Sequence, residues 1–588
     1  MLLEKIMKHR FNNIQIQVGR SCLMACYLTV FFTWLLGGNL THVSADTNLD
    51  ARVSCKTYEQ IQSNAGIEPP ILFFCLGDSL SHGTMDATNN SINTLNSYVQ
   101  KVADSLANEI PLYFTQPLFD DQQNRLDPFI VPTNLAVDGS DVFSLVGLEY
   151  YKRVGADKSF FSRDYLADKF LPSLLKDKYD KVLYPINLLA KKPVSQLSAA
   201  TWLLRYGAPM AGIEKAICIF WEGNNDSGLA ALGAGGQNPV FQPLPFDVVK
   251  PELKPALQLL LSLGEPTGAV SFEPYTQAAI ERNLTEIDDF VKLYEFNVNM
   301  LELVNSISPV DTDFFLLTLP YYSGMGYLMD SEDLEFYLQK VNPAYTVPAT
   351  FKRVPTNDPV KGDRVTLFTF GMMYALLGTG HSVDDVNRVL ETDGQQRDGL
   401  VLSEEEQQFI MTRIDAYNEA IKTAAASSGP NFHIIDIGQF LNDVFSGKIT
   451  IVVNGRILTR KWVRGCGFSL DGVHPGYLGQ ALVANVVLEY LNGNLGLSAE
   501  LYDLGDIMMT DPYVDQDGDG WAPGPQYNAS GITELLFLFK DPNDNDPEVQ
   551  VELPPDVWDL ISDILLGQIL QVQEIRDEAI RQGIVVEQ

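Results

Sequence analysis

Five short apolar runs constrain what this chain can fold into more than any other feature. They lie at 71–76, 133–137, 216–221, 313–319 and 432–437, and each is continuous rather than alternating. Successive side chains of a strand point to opposite faces, so a run that is apolar throughout suits a strand covered on both sides. Between the runs the period changes. Residues 283–307 keep apolar positions at helical spacing. Ser403 and Glu406 form a capping box opening another helix, which ends near Ser428-Gly429-Pro430. Strand and helix in alternation predict an α/β fold with a parallel sheet buried between two helical layers.

The strands are too far apart for simple crossovers. Segments 155–210, 228–282 and 322–402 read as insertions with helical patterns and Gly and Pro punctuation, placed above or beside the sheet. Asn454-Gly455, between the apolar pieces 449–453 and 456–459, predicts a tight hairpin, because a two-residue turn of this kind needs positive φ at both positions. The predicted organisation is a leader over 1–45, a main domain over 46–495, and an extension over 496–588. The extension carries Asp-rich loops and a terminal helix beginning near Pro555, whose apolar residues include Trp558, Ile561, Leu565 and Ile569.

The leader has the pattern of a secretory signal. Lys5, Lys8, Arg10 and Arg20 make a basic start, an apolar run follows over 23–36, and Val43-Ser44-Ala45 gives a small-residue exit. The run is short for a membrane span. The expectation is an exported protein, secreted or periplasmic, cleaved near Ala45 and without a stable span in the mature chain. Export permits disulfides. Cys75 and Cys218 sit inside apolar runs and read as free core thiols, so Cys55 with Cys466 is the pair to test. The net charge of −34 argues against nucleic acid or an anionic membrane surface as partner, since both need a basic face.

Chemistry gathers at the ends of the predicted strands. The first ends in Gly77-Asp78-Ser79-Leu80, which puts Ser79 at the carboxyl edge of the sheet, where open α/β sheets place their sites. A serine hydroxyl needs an adjacent base, and the base needs a carboxylate to fix its tautomer. Asp471-Gly472-Val473-His474 offers both within one loop. Gly139, after the second strand, is able to present its N–H closely, and Asn225, in Gly223-Asn224-Asn225-Asp226 after the third, is able to donate to developing negative charge. His82 lies just behind Ser79 and is expected at the mouth of the site.

Together these four pieces, in this order, resemble the blocks of the GDSL, or SGNH, hydrolase family across roughly 70–495. The resemblance implies a flavodoxin-like three-layer sandwich with a central parallel sheet. It implies Ser79 as nucleophile, His474 as base and Asp471 as its orienting partner. It also implies an oxyanion hole made by the N–H groups of Ser79 and Gly139 and the side chain of Asn225. No cofactor is implied for catalysis. A Gly-x-Ser-x-Gly elbow is lacking, which disfavours an ordinary α/β-hydrolase. Family members cleave acyl esters of lipids, sugars and small alcohols. The apolar pieces at 259–263 and Tyr321-Tyr322 suit ordinary core, and they also suit a lid over a lipid or other acyl ester. The expected activity is that of an esterase or lipase. Two rivals stand beside it: a carbohydrate deacetylase or acyltransferase of the same family, and a calcium-dependent surface binding protein on an inactive fold. The complete set of catalytic residue types speaks against the latter.

The extension holds a separate signal. Asp515, Asp517 and Asp519 alternate, with Gly520 sixth, as oxygen-ligand calcium loops require. Position twelve is Gln526 rather than a bidentate Glu, and a second acidic piece with Asp541 and Asp544 is placed to close the shell. This arrangement resembles the calcium-binding Asp repeats of thrombospondin type 3 and related bacterial modules. The expectation is a structural calcium that takes no part in catalysis.

Overall fold

The computed structural model describes residues 69–147, 178–190, 194–234 and 280–557, apart from 282, 357, 398, 530, 531, 550 and 554–556. The leader, Cys55, the 259–263 run and the terminal helix residues from Trp558 onward lie outside the described residues.

Four of the five apolar runs are strands of one parallel sheet: β1 (Ile71–Gly77), β3 (Lys215–Trp221), β4 (Asp311–Leu317) and β5 (Phe432–Ile435). A fifth strand of two residues, β2 (Leu112–Tyr113), joins the edge, and the order across the sheet is β5-β4-β3-β1-β2. The remaining run, 133–137, makes no regular ladder. It takes over the edge of β1 where β2 stops: Cys75 N–H donates to the Thr133 carbonyl at 3.1 Å, and Leu135 and Val137 donate to the carbonyls of Cys75 and Gly77 at 2.9 and 3.0 Å. Strand order therefore reverses between β1 and β3, which is the switch point where such sheets open a crevice at their carboxyl ends.

Two neighbouring residues of β3 show that both faces are covered. Trp221 meets Tyr98 edge-on with ring centroids 5.6 Å apart, while Phe220 stacks on Tyr294 at 5.4 Å. Adjacent strand residues face opposite ways. Accordingly, helix α2 (Tyr98–Glu109) and helix α3 (Ile287–Ile307) lie on opposite faces, and α1 is the single turn Ser79–His82 before them. Helix α4 (Glu404–Ser427), opened by the Ser403–Glu406 capping box, packs on α3 through stacked Phe290 and Tyr417. Helix α5 (Tyr477–Leu495) packs on α2, where Gln480 accepts the Tyr98 N–H. The result is mixed α/β: helix pair, five-stranded parallel sheet, helix pair. Asn454 and Gly455 form the predicted hairpin turn with φ of 49° and 82°.

The 322–402 insertion builds a small antiparallel sheet from Leu328–Met329, Arg364–Thr366 and Val401–Leu402. Its core is shared with the extension: Tyr337 and Phe370 from the insertion pack against Trp462, Trp521 and Phe539. A buried ionic cluster fastens the same unit, with Arg460 and Lys461 paired to Asp330 and Arg464 to Asp333. Cys75, Cys218 and Cys466 are free and buried. The proposed Cys55 pairing thus falls on a free thiol at one end and outside the described residues at the other. Among the described residues no helix is long and apolar enough to cross a membrane.

Candidate active site

Gly77 is the hinge on which the site is built. Its φ is +155°, and a Cβ there would lie 2.4 Å from the Trp221 carbonyl oxygen, so only glycine lets β1 pass β3 this closely. Asp78 follows and caps the short helix α1, accepting the Leu80 N–H at 3.0 Å and the Asn224 side-chain amide at 2.9 Å. Ser79 is the first residue of α1 and is half-buried at the carboxyl edge of the sheet. Gln196, buried, clamps two blocks together: it pairs with both backbone groups of Gly77 at 2.9 Å and donates to Ser140 Oγ at 2.8 Å.

The loop that carries His474 is fixed from several sides. Asp471 accepts the Val473 and His474 N–H groups at 2.8 Å, the Ser469 hydroxyl at 2.9 Å and the Ala87 N–H at 2.8 Å. Its Oδ2 lies 2.6 Å from His474 Nδ1. Burial alone would raise the Asp471 carboxyl, but the His474 charge and these hydrogen bonds hold it below the usual range. An ionised carboxylate only accepts, so the proton between them sits on Nδ1, which leaves Nε2 as the acceptor. Burial pulls His474 down, yet the Asp471 carboxylate outweighs it and leaves the imidazole above its ordinary value, helped by Asp138 and Asp78. Asp78, next to Ser79, and His474 lie close enough for their charges to interact.

The two remaining oxyanion candidates are linked through Ser140. Gly139 sits in a turn at φ +81°, and the Asn225 amide donates to the carbonyl of the next residue, Ser140, at 2.7 Å. A side-chain amide has two hydrogens, so this bond leaves a second one to donate.

No protein-family model, curated protein or solved structure matches this chain.

One expectation of position fails. His82 is not at an opening: it is buried in α1 with its ring edge-on to Phe119. Tyr321 and Tyr322 are half-buried, and their hydroxyls donate to Asp415 and to the Asn224 carbonyl.

A well-connected residue beside this loop that the sequence did not single out is Asp86. It is fully buried, accepts the Leu470 N–H at 2.9 Å and the hydroxyls of Tyr513 and Tyr527 at 2.7 and 2.8 Å, and donates its own N–H to Ser469 Oγ at 3.1 Å. Burial, then the nearby Asp471 charge, pushes its carboxyl up to about 7. Asp86 thus joins the segment after Ser79, the His474 loop and the extension.

The predicted metal residues form two clusters, Asp515 with Asp517 and Asp544, and Asp517 with Asp519 and Asp541. Backbone N–H groups of Gly518 and Gly520 shape the loop by donating to Asp515 at 2.6 and 2.7 Å. The buried Oδ2 atoms of Asp517 and Asp541 have no hydrogen-bond donor, which fits a cation as their missing partner. Burial first, and then the neighbouring carboxylates, push Asp519 and Asp544 up to about 6. Such a set of hard oxygen donors could hold a metal ion and suits Ca²⁺.

Proposed function

We propose that the protein is a serine esterase of the GDSL type, acting on carboxylic esters through Ser79, His474 and Asp471. The observation that carries this is the 2.6 Å contact between His474 Nδ1 and Asp471 on a loop bonded to the segment that follows Ser79. In this reading His474 Nε2 takes the Ser79 hydroxyl proton as Oγ attacks the ester carbonyl. Asp471 stabilises the imidazolium that results. The N–H groups of Ser79 and Gly139 and the free hydrogen of Asn225 receive the oxyanion. His474 then protonates the departing alcohol, leaving an acyl group on Ser79. Water, deprotonated by the same imidazole, attacks that acyl group and returns the free acid and the serine.

A structural calcium is proposed at Asp515, Asp517, Asp519, Asp541 and Asp544. It would neutralise crowded carboxylates in the extension and supplies no catalytic step.

Hydrolysis of p-nitrophenyl esters from acetate to palmitate tests the reading. The wild type should turn over at least part of this series. Ser79→Ala should lose activity by about 10³-fold or more, while its melting temperature stays within a few degrees. Substantial residual activity in purified Ser79→Ala protein would remove Ser79 from the role.

A further inference from the structure

The insertion and the extension leave a pocket between them. It lies between the helix Leu367–Gly378 and the helix Ile532–Phe537 and is partly open to solvent. Its walls include Leu367, Phe368, Met372, Leu535, Leu536 and Phe539, and no charged side chain lines it. A ligand entering it would meet hydrocarbon on both sides.

Both walls are fastened to the loop that carries His474. On one side Tyr327, also part of the lining, donates its N–H to the Gly472 carbonyl at 2.8 Å and accepts the Leu367 N–H at 2.8 Å. The Tyr327 hydroxyl donates to the Leu232 carbonyl at 3.1 Å, at the end of the helix that Asn225 opens. On the other side Thr533 donates its hydroxyl to the Asp86 carbonyl at 2.8 Å, and Asp86 in turn holds the Leu470 N–H. An uncharged apolar pocket anchored on two sides to the proposed catalytic loop is suited to the hydrocarbon end of an ester.

We propose that this pocket holds the acyl chain of the substrate and makes the enzyme prefer medium and long acyl chains over acetyl. The proposal rests on the ester-hydrolase reading of Ser79 and His474. Each methylene buried in the pocket should raise kcat/KM by about three- to fourfold, until the pocket is full.

Gly371 gives a direct probe. It lines the pocket, and a Cβ there would stand 3.4 Å from Phe539 Cζ, an ordinary contact. Alanine should therefore fit, whereas leucine should project into the space. Two measurements on the full chain are required. The first is equilibrium binding of an anthroyl-labelled stearate to Ser79→Ala protein, with and without Gly371→Leu, which needs no turnover. The second is kcat/KM for p-nitrophenyl acetate and decanoate in the wild type, Gly371→Ala, Gly371→Leu and Leu536→Trp. Saturable probe binding is expected, weakened tenfold or more by Gly371→Leu. Both blocking variants should keep acetate turnover within twofold and lose decanoate turnover tenfold or more, with Gly371→Ala near the wild type. Absence of saturable binding, or equal losses on the two esters, would overturn the proposal. Probe binding without any ester hydrolysis by the wild type would instead overturn the esterase reading and leave the pocket standing. Hydrolysis of acetate and decanoate with equal kcat/KM would do the reverse.

Discussion

Asp471 collects five hydrogen bonds, from Ala87, Ser469, Val473 and both the N–H and the Nδ1 of His474. That is more than a carboxylate needs to remain ionised, and the His474 imidazole is raised as a consequence. The sign of the resulting pH effect follows. The base must be neutral, so activity appears as pH rises through the His474 pKa. With that value raised, the acid limb of kcat/KM should lie above the ordinary 6.5 of histidine. Asp471→Asn removes the charge that stabilises the imidazolium, so the limb should move to lower pH. It also removes the constraint that keeps the proton on Nδ1, and kcat should fall by on the order of 10⁴, the loss seen when the triad aspartate of a serine protease becomes asparagine. A pH–rate profile of both proteins checks this; an unmoved limb would show that Asp471 does not act on His474. At this scale residue type and spacing pointed to Ser79, Gly139, Asn225, Asp471 and His474 as candidates, and the Asp471–His474 contact was legible because both residues sit in one short loop. Asp86 and Gln196 were not legible. Asp86 lies in an ordinary polar turn, and its partners are 383 to 447 positions away, a separation no local pattern encodes.

Among elements, the long buried strands and the capped helices were readable because their signals are local: apolar runs, helical spacing and a capping box. Leu112–Tyr113 and the two-residue pieces of the small sheet were not, since they are too short to carry a period and no tight-turn pair marks them. Tertiary packing alone makes them strands. The ionic cluster that joins the insertion to residues 460–464 was also hidden, because Asp330 and Arg460 lie 130 positions apart and no local pattern pairs them. Burial makes the cluster sensitive to loss of one member. Asp330→Ala would take from Arg460 its nearer carboxylate, leaving Asp333 at 3.6 Å, and also remove the N-cap of the helix Ser331–Val341. The expected cost is about 3–5 kcal/mol, against about 1 kcal/mol for loss of a cap alone. Urea denaturation of the two proteins measures it. A loss below about 1 kcal/mol would mean that the cluster contributes little beyond that cap.

Over the whole molecule, 75 acidic residues face 41 basic ones, and the extension concentrates the imbalance in the two carboxylate clusters beside buried Trp521. Because Trp521, Tyr513 and Phe539 belong to the core shared with the insertion, order in the acidic loops should reach the rest of the unit. A cation that binds only the folded chain stabilises it by about 2.7 kcal/mol at a hundredfold excess over its Kd. Calcium should therefore raise the melting temperature and EDTA lower it, with little change in ester hydrolysis at low temperature. A melting curve indifferent to both would leave the loops as solvated turns. The catalytic assignment is tested most directly by covalent labelling. The protein, incubated with a fluorophosphonate and analysed by intact-mass and peptide mass spectrometry, should gain one adduct on the peptide containing Ser79, and Ser79→Ala protein should gain none. An unlabelled wild type, or an adduct on another residue that persists in Ser79→Ala, would contradict it.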